Sequence, residues 1–285
     1  MQQRAVVTGA NSGIGLATAL RLAADGYEVW AGARSDNGLA AIEESAGSHL
    51  IRPVRLDVTD DDSVADAFAT VLASGPVDVL VNNAGITGAG SVEETPVDVY
   101  QSMFDTNVLG TVRCTQQVLP GMRESRGGYV VNISSSSALL SPPLMAPYAS
   151  TKRAVESISE SLQSEAAEYG IRVVLIEAGT ILTPIWGKSE TPPDDTAYPR
   201  ARDLLLSVLM HNLTTTGVPA ETVAEAIAES VADPAPTFRR LVGDADVLAG
   251  MRARHTDEEV LGVFFLEPDE LRARYAELSG VDYWG

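Results

Sequence analysis

Short apolar runs alternate with amphipathic stretches through most of the chain. The runs are apolar at consecutive positions, which is typical of strands in a parallel sheet that helices cover on both sides. Right-handed crossovers between such strands produce a doubly wound, Rossmann-type α/β sheet. We therefore predict a single α/β domain whose parallel sheet has the strand order 3-2-1-4-5-6-7.

The predicted elements follow from these periods. The strands are Ala5–Thr8, Glu28–Ala33, Leu50–Leu56, Val77–Val81, Tyr129–Ile133, Ile171–Ile176 and Phe238–Val242. The helices are Gly13–Ala24, Asn37–Ala46, Asp61–Ala73, Val97–Arg123, Tyr148–Tyr169, Arg202–His211 and Glu221–Ala232. Asp60 and Gly170 stand where an N-cap and a C-cap are expected.

Charge and residue usage narrow the classes of partner. The formal net charge is −19, so we expect the protein to bind neither nucleic acid nor anionic membranes. No apolar run is long enough to span a membrane and no signal-peptide pattern begins the chain, so we expect a cytoplasmic protein. The histidines His49, His211 and His255 lack metal-ligand spacing, which predicts no metal site. The lone Cys114 is expected to serve packing.

A glycine-rich loop follows the first strand and opens the first helix. Gly9 can take the sharp turn, Gly13 lets the backbone approach a pyrophosphate, and Gly15 allows close contact between helix and strand. The helix N-terminus adds free N–H groups and a positive dipole end. The spacing is G-x-x-x-G-x-G and differs from G-x-G-x-x-G, but its position between strand and helix favours dinucleotide binding.

The residues at the end of the second strand indicate which dinucleotide the protein binds. Enzymes that use NAD usually place a carboxylate there to bind the ribose 2′-hydroxyl. This chain has Arg34 instead, which can pair with a 2′-phosphate through charge-assisted contacts. We therefore predict that the protein prefers NADP(H) over NAD(H).

Tyr148 and Lys152 are four residues apart and share one face of a predicted helix. A phenol has a pKa near 10, so it acts as an acid or base near neutral pH only if its pKa is lowered. A lysine ammonium about 5 Å away supplies about 3 kcal/mol toward that shift. The pair therefore predicts proton transfer by Tyr148.

Four motifs stand in an order that resembles the short-chain dehydrogenase/reductase family, in its compact branch. They are Thr8–Gly15, Asn82–Gly85, Asn132–Ser135 and Tyr148–Lys152, and the resemblance extends from residue 4 to about residue 243. It implies an oxidoreductase that moves a hydride between a nicotinamide and a carbonyl or secondary alcohol.

The resemblance also implies roles for individual residues. Ser135 would polarise the substrate carbonyl, Tyr148 would transfer the proton, Lys152 would hold the nicotinamide ribose, and Asn107 would anchor a water in the proton relay. The residues expected to bind the cofactor are Gly9, Asn11, Ser12, Gly13, Ile14, Gly15, Arg34, Asp57, Val58, Asn83, Ala84, Gly85, Ile133, Tyr148, Lys152, Ala178, Gly179, Ile181 and Thr183.

One position departs from the family pattern, which usually has Pro-Gly after the sixth strand. Here the pair is Ala178-Gly179. Alanine frees φ and restores a backbone N–H. The change removes no reacting group, so we expect activity to survive.

The resemblance divides the chain into residues 1–243, the dinucleotide-binding and catalytic domain, and residues 244–285, a C-terminal extension packed on it. A substrate lid is expected at about 183–219, including a loop at Thr191–Asp195. The extension carries the apolar segment Phe264–Leu266 and the aromatic pair Tyr283 and Trp284. These would cap the core, close the substrate cleft or contact a neighbouring subunit.

The lid is rich in apolar residues, and more stand between Ser135 and Tyr148, so we expect a hydrophobic ketone or alcohol of steroid, retinoid or polyketide type as substrate. They are Leu139, Leu140, Leu144, Met145, Ile185, Trp186, Leu204, Leu205, Leu206, Val208, Leu209 and Met210. A homodimer or homotetramer through the helices at 97–123 and 148–169 is expected by analogy. The alternatives are an epimerase or dehydratase, a dehalogenase, and a catalytically silent NADP-binding sensor or scaffold.

Overall fold

A computed structural model describes residues 2–47, 50–187 and 192–284. His49, and Thr191 of the predicted loop, lie outside these ranges. The sheet strands are β1 (Arg4–Val7), β2 (Glu28–Ala33), β3 (Ile51–Arg55), β4 (Val79–Asn82), β5 (Gly128–Ser135), β6 (Ile171–Ala178) and β9 (Arg239–Val242), and a separate short ribbon joins β7 (Ile181–Leu182) to β8 (Val218–Pro219).

The helices flank the sheet and continue into the C-terminal extension. They are α1 (Gly13–Ala24), α2 (Asp36–Ala46), α3 (Asp61–Ala73), α4 (Val97–Phe104), α5 (Gly110–Ser125), α6 (Ser136–Leu139), α7 (Ala146–Ala166), α8 (Pro199–Thr215), α9 (Ala220–Ala232), α10 (Ala245–Arg254), α11 (Asp257–Gly262) and α12 (Pro268–Ser279). Among the described residues, no helix is long and apolar enough to cross a membrane.

The seven strands are parallel and ordered β3-β2-β1-β4-β5-β6-β9. The predicted doubly wound topology is therefore confirmed, and the predicted seventh strand is the ninth in chain order because the β7/β8 ribbon precedes it. The order reverses between β1 and β4, which is the switch point where open α/β sheets bind ligands. This places the functional edge at the carboxyl ends of β1, β4, β5 and β6.

Successive side chains along each strand enter different cores. Val7 lies in a core with Leu22 of α1 and Ile227 of α9. Its neighbour Val6 lies in a second core with Phe68 of α3. Strand side chains alternate between the two faces of a sheet, so strands that are apolar at every position bind helices on both sides and hold the edge between them rigid.

The long helix predicted at Val97–Arg123 is wrong in one detail. Between α4 and α5 the chain forms a π-helical segment, Asp105–Leu109, with a wider turn than an α-helix. Such segments are often found at functional sites, and this one contains Asn107. The helix predicted at Tyr148–Tyr169 is confirmed, and Gly170 ends it in the left-handed conformation with φ of 73°.

The C-terminal extension has an apolar core of its own. Met251, Val263 and Tyr275 are buried there. Leu140, which precedes α7, and Val208 of α8 join the same cluster. The extension therefore packs on the sheet domain through Leu140 and on α8 through Val208.

Candidate active site

A cavity of about 600 Å³ opens at the carboxyl edge of the sheet and contains most of the predicted site residues. Those that line it are Gly9, Asn11, Ser12, Gly13, Ile14, Arg34, Asp57, Val58, Asn83, Ala84, Gly85, Ile133, Ser135, Tyr148, Lys152, Ala178, Gly179, Ile181 and Thr183. Gly15 and Asn107 lie behind the lining. The cavity continues past Tyr148 to α8 and the C-terminal extension.

Close packing explains the glycines of the first loop. A Cβ on Gly9, whose φ is +63°, would lie 2.9 Å from Ala84 Cα. A Cβ on Gly15 would lie 2.4 Å from the side-chain nitrogen, Nδ2, of Asn83. The loop therefore fits against the turn after β4 only because these positions carry no side chain.

Hydrogen bonds to Thr8 and Gly9 hold the turn after β4 against the end of β1. The backbone N–H groups of Asn83 and Ala84 donate to Thr8 Oγ1 at 3.0 and 2.9 Å. The Asn83 side chain donates to the carbonyl oxygens of Thr8 and Gly9 at 2.9 and 3.1 Å. The two turns therefore form one rigid cradle at the N-terminus of α1.

The cradle fits a dinucleotide phosphate. The side chain of Ser12, the residue before α1, makes no capping hydrogen bond in the described part of the chain. The first-turn N–H groups of α1 are therefore open to the cavity, as in a helix N-terminus that binds anions. Farther along, Arg34 is exposed at the cavity wall and no described carboxylate pairs with its guanidinium, whereas the neighbouring Asp36 is paired with Arg55.

Asp57 forms a short turn at the end of the third strand. One of its carboxylate oxygens accepts hydrogen bonds from the backbone N–H and the hydroxyl of Thr59, at 3.0 and 2.7 Å. Val58, the next residue, is buried beneath this turn. Both line the same cavity as Arg34, and both were expected to bind the cofactor.

Ser135, Tyr148 and Lys152 come together in the middle of the cavity. The Ser135 side chain lies beside the Tyr148 hydroxyl and acts to lower its pKa. Lys152 Nζ donates to the carbonyl oxygen of Ile133 at 2.8 Å and lies 5.6 Å from the centroid of the Tyr148 ring. Helix α7 places the tyrosine and lysine on one face, and the end of β5 supplies the serine.

The pKa values of Tyr148 and Lys152 differ from those that the sequence predicts. Burial raises the pKa of Tyr148 to about 12, and the Ser135 side chain opposes that rise only in part. Burial lowers the pKa of the Lys152 ammonium to about 8. The expected lowering of the tyrosine pKa by Lys152 is absent from this arrangement, because the ammonium faces the ring and the Ile133 carbonyl.

Asn107 joins elements beside the cavity instead of lining it. Its side-chain oxygen accepts from the backbone N–H of Ile86 at 2.8 Å. Its side-chain nitrogen donates to the Ile86 carbonyl oxygen at 2.9 Å and to Thr151 Oγ1 at 3.0 Å. The π-helical turn thus fixes the segment after β4 against α7, next to Tyr148.

Ala178 continues the sixth strand where the family usually has proline. Its Cα is in register with Ser135 on one side and with Val242 on the other. The residue that follows, Gly179, donates its N–H to the Val242 carbonyl oxygen at 2.9 Å. The turn is therefore held by sheet pairing up to its glycine.

The substrate side of the cavity is lined by apolar residues from three segments. Met145 precedes α7, Leu205 and Leu209 come from α8, and Tyr275 and Tyr283 come from the extension. Leu139, Leu140, Leu144 and Met210, which were expected on this side, do not line it. Leu140 packs into the core of the extension, and Met210 is 57% exposed.

Sequence reasoning missed the polar residues of this side. Asn212, Thr216 and Asp244 line the cavity, but none belongs to a motif with a recognisable spacing. The apolar content of the extension was the only available signal that its residues reach the site. Tyr275, Val281 and Tyr283 of the extension line the cavity, which favours closure of the substrate cleft among the three roles expected for the extension.

Comparison with known proteins agrees with the geometry. The family model described as short chain dehydrogenase matches residues 3–194. The chain is 35% identical over 254 residues to retinol dehydrogenase 8 of Bos taurus, covering 82% of this chain and 80% of the relative. It is 33% identical over 248 residues to an NADPH-dependent 3-dehydrocapnine reductase of Ornithobacterium rhinotracheale, covering 84% and 87%.

A solved structure supports the same assignment. A short-chain dehydrogenase from Streptomyces avermitilis superposes with a TM-score of 0.80 at 32% identity, covering 93% of this chain and 98% of that one. The shared fold includes the switch point at which the glycine cradle and the Ser135–Tyr148–Lys152 group face one cavity. The chain therefore belongs to the short-chain dehydrogenase/reductase family of oxidoreductases.

Proposed function

We propose that the protein is an NADP(H)-dependent reductase of hydrophobic ketones or aldehydes, working in reverse as an alcohol dehydrogenase. The observation that carries the proposal is the position of Ser135, Tyr148 and Lys152 between a glycine cradle and an apolar pocket in one cavity. A bound NADPH would supply the hydride for the carbonyl carbon. The protein supplies the proton and the positions of the reacting groups.

The Ser135 and Tyr148 hydroxyls are arranged to hydrogen-bond one substrate carbonyl oxygen. Because the pKa of Tyr148 is raised to about 12, its hydroxyl is protonated at neutral pH, which is the state that donates a proton during reduction. Lys152, with a pKa of about 8, is mainly cationic at pH 7. Its ammonium would hold the nicotinamide ribose.

The preference for NADP(H) rests on Arg34. Its guanidinium is exposed directly after β2, where Gly32–Ser35 contains no carboxylate that could bind a ribose 2′-hydroxyl. The named cofactor of the 3-dehydrocapnine reductase supports the same preference. We expect the glycine cradle to hold the pyrophosphate. We expect the other predicted cofactor-binding residues that line the cavity, from Asp57 to Thr183, to contact the rest of the cofactor.

The apolar pocket favours a bulky, hydrophobic substrate of steroid, retinoid or polyketide type. Leucines from α8 and aromatic rings from the extension form its wall, and burial of apolar surface gives about 25 cal/mol per Å². The name of the bovine relative, retinol dehydrogenase 8, supports testing retinoids first.

The proposal is tested by following NADPH oxidation with a panel of ketones and aldehydes that differ in bulk. Retinal, a steroid ketone and a bicyclic ketone represent large apolar substrates, and acetone and pyruvate are small and polar controls. We expect kcat/KM to increase with apolar size. Turnover of pyruvate in preference to every bulky ketone would contradict the substrate assignment and leave the cofactor assignment standing.

A catalytically silent NADP-binding sensor or scaffold remains the alternative function. It would bind NADPH and reduce none of the panel, and replacement of Tyr148 would change nothing measurable. The presence of Ser135, Tyr148, Lys152 and Asn107 together disfavours it, because a silent relative has no physical need for an adjacent serine and tyrosine beside a buried lysine.

We also propose that the protein forms a homodimer or homotetramer through α4–α5 and α7. Leu109, at the junction of α4 and α5, is 48% exposed, which would suit a contact with a second copy. Size-exclusion chromatography with light scattering would detect it, and a monomer at micromolar concentration would contradict the proposal.

A further inference from the structure

Asp244 directly precedes α10, and its side chain departs from the usual behaviour at that position. An aspartate before a helix commonly accepts hydrogen bonds from the first-turn N–H groups. The Asp244 side chain makes no such capping bond. Both its carboxylate oxygens instead bond to other segments, and a residue that breaks a local rule in this way often serves a site.

The first oxygen holds the turn that follows the sixth strand. Asp244 Oδ1 accepts from the backbone N–H of Thr180 at 2.6 Å. The carbonyl oxygen of Thr180 accepts in turn from the N–H of Val218 at 3.1 Å. Both backbone polar groups of Thr180 are therefore satisfied by segments on the substrate side of the cavity.

The second oxygen holds the end of α8. Asp244 Oδ2 accepts from Thr216 Oγ1 at 2.8 Å, and Thr216 is the residue directly after the last residue of that helix. Thr180, Thr216 and Asp244 all line the cavity. One carboxylate thus connects the turn at Ala178–Ile181, the end of α8 and the beginning of the extension.

Gly179 is fitted to this carboxylate. A Cβ at Gly179 would lie 2.0 Å from Asp244 Oδ1 and 2.7 Å from the backbone nitrogen of Ala245. The glycine therefore permits the close approach by which Asp244 reaches Thr180. Asp244 also acts on the extension. Burial raises the pKa of Tyr283, Ser279 opposes this rise, and the charge of Asp244 adds to it.

We propose that Asp244 is a positioning residue that couples the nicotinamide-binding turn at Ala178–Ile181 to closure of α8 over the substrate. This inference rests on the proposed function, since it assigns the turn to the nicotinamide end of NADPH. With the carboxylate in place, α8 and the turn move as one unit. Binding of the nicotinamide end therefore favours the closed position of α8, and the closed position favours binding.

The test compares two ligands that share the adenosine end. NADPH reaches the turn at Ala178–Ile181, whereas adenosine 2′,5′-bisphosphate carries the 2′-phosphate and stops at the cradle. Asp244→Ala should weaken NADPH binding by about tenfold, as expected when hydrogen bonds to a charged group are removed. The same variant should bind the bisphosphate within about twofold of wild type.

Matched variants separate the two contacts. Asp246→Ala removes an exposed carboxylate two residues along the same helix and should leave both ligands unaffected. Thr216→Val removes the bond between Asp244 and the end of α8, together with a longer bond from the same hydroxyl to the Asn212 carbonyl oxygen at 3.4 Å. It should weaken NADPH binding about threefold, while Thr216→Ser retains the hydroxyl and should bind NADPH as wild type does. If Asp244→Ala fails to fold, Asp244→Asn, which can still accept from Thr180, provides a milder change.

Hydrogen exchange measures the coupling without turnover. NADPH should slow amide exchange along α8 in wild type and in Asp246→Ala, and should have little effect on α8 in Asp244→Ala. Equal weakening of both ligands in Asp244→Ala, or unchanged NADPH binding together with normal protection of α8, would overturn the proposal. A wild-type protein that binds neither ligand would contradict the proposed function itself.

Discussion

The two halves of the active-site cavity are built by different means. The cofactor half is built from backbone turns at strand ends. Glycines allow these turns to pack closely, and hydrogen bonds that Asn83 donates to Thr8 hold them in place. The substrate half is built from apolar side chains of α8 and the extension, which come from distant parts of the chain. Atoms fixed at contact distance leave the first half little tolerance for change, whereas the second half can change its shape by substitution.

Tyr148 lies between the two halves of the cavity. Its replacement should have the largest effect on activity. Tyr148→Phe removes the proton donor and should lower kcat by about a thousandfold, within the range for a general acid. NADPH affinity should remain close to wild type, because the ring stays in place. Stopped-flow or steady-state assays of NADPH oxidation with the best panel substrate measure the loss.

The matched control is Tyr129→Phe, which removes a hydroxyl bonded to the Asp233 carbonyl oxygen far from the cavity. This variant should retain full activity. Activity of Tyr148→Phe within tenfold of wild type would remove Tyr148 from the reaction.

The adenosine end of the cofactor half should show the next largest effect. Arg34→Ala should weaken NADPH binding by roughly tenfold to a hundredfold, the range for hydrogen bonds to a charged group. NADH serves as the control ligand, since it lacks the 2′-phosphate, and its affinity should change little. Equal losses of NADPH and NADH affinity in a fluorescence titration would show that Arg34 does not bind the 2′-phosphate.

The pH dependence follows from Lys152. Burial lowers its pKa to about 8, so the ammonium is present below pH 8 and is lost as the pH rises through that value. For ketone reduction, log kcat/KM should be level from pH 6 to about 7.5 and should fall by about one unit per pH unit above 8. The Tyr148 pKa of about 12 lies outside this window, so a profile level to pH 9.5 would contradict the role given to Lys152.

The smallest effect is expected in the substrate half. Tyr283→Ala enlarges the pocket where the extension closes it and should raise KM for a bulky ketone by a few fold, with kcat and NADPH affinity little changed. Phe265→Ala is the control, because that side chain is 91% exposed. A Tyr283→Ala variant that loses NADPH binding would show that the two halves are less separate than described.

The sequence predicted the order of the sheet, and most of the residues that it predicts for cofactor binding line one cavity. Gly9, Gly13 and Gly15 stand where a Cβ would meet neighbouring atoms at 3.1 Å or less, so their spacing in the sequence reflects the close packing of this loop. Continuous apolar strands likewise record burial on both sides of the sheet. Helix spacing only suggested the pair of Tyr148 and Lys152, and the other motifs of the family resemblance supported it. The role of Ser135 came from its place in a motif beside three other serines.

The rest depended on tertiary structure. The π-helical turn around Asn107 is invisible in the sequence, because its residues continue the helical pattern of α4 and α5. The raised pKa of Tyr148 depends on how much protein surrounds its hydroxyl, which spacing to Lys152 does not report. Asp244 lies 64 residues from its partner Thr180. No local sequence pattern indicates that its carboxylate bonds to that distant segment instead of capping α10.

The most direct test of the central claim is a fluorescence titration of the purified wild-type protein with NADPH and with NADH. We predict micromolar or tighter binding of NADPH and binding of NADH that is at least about tenfold weaker, since the 2′-phosphate contact with Arg34 is lost. Absence of binding for both cofactors would contradict the account, and tighter binding of NADH would contradict the role of Arg34.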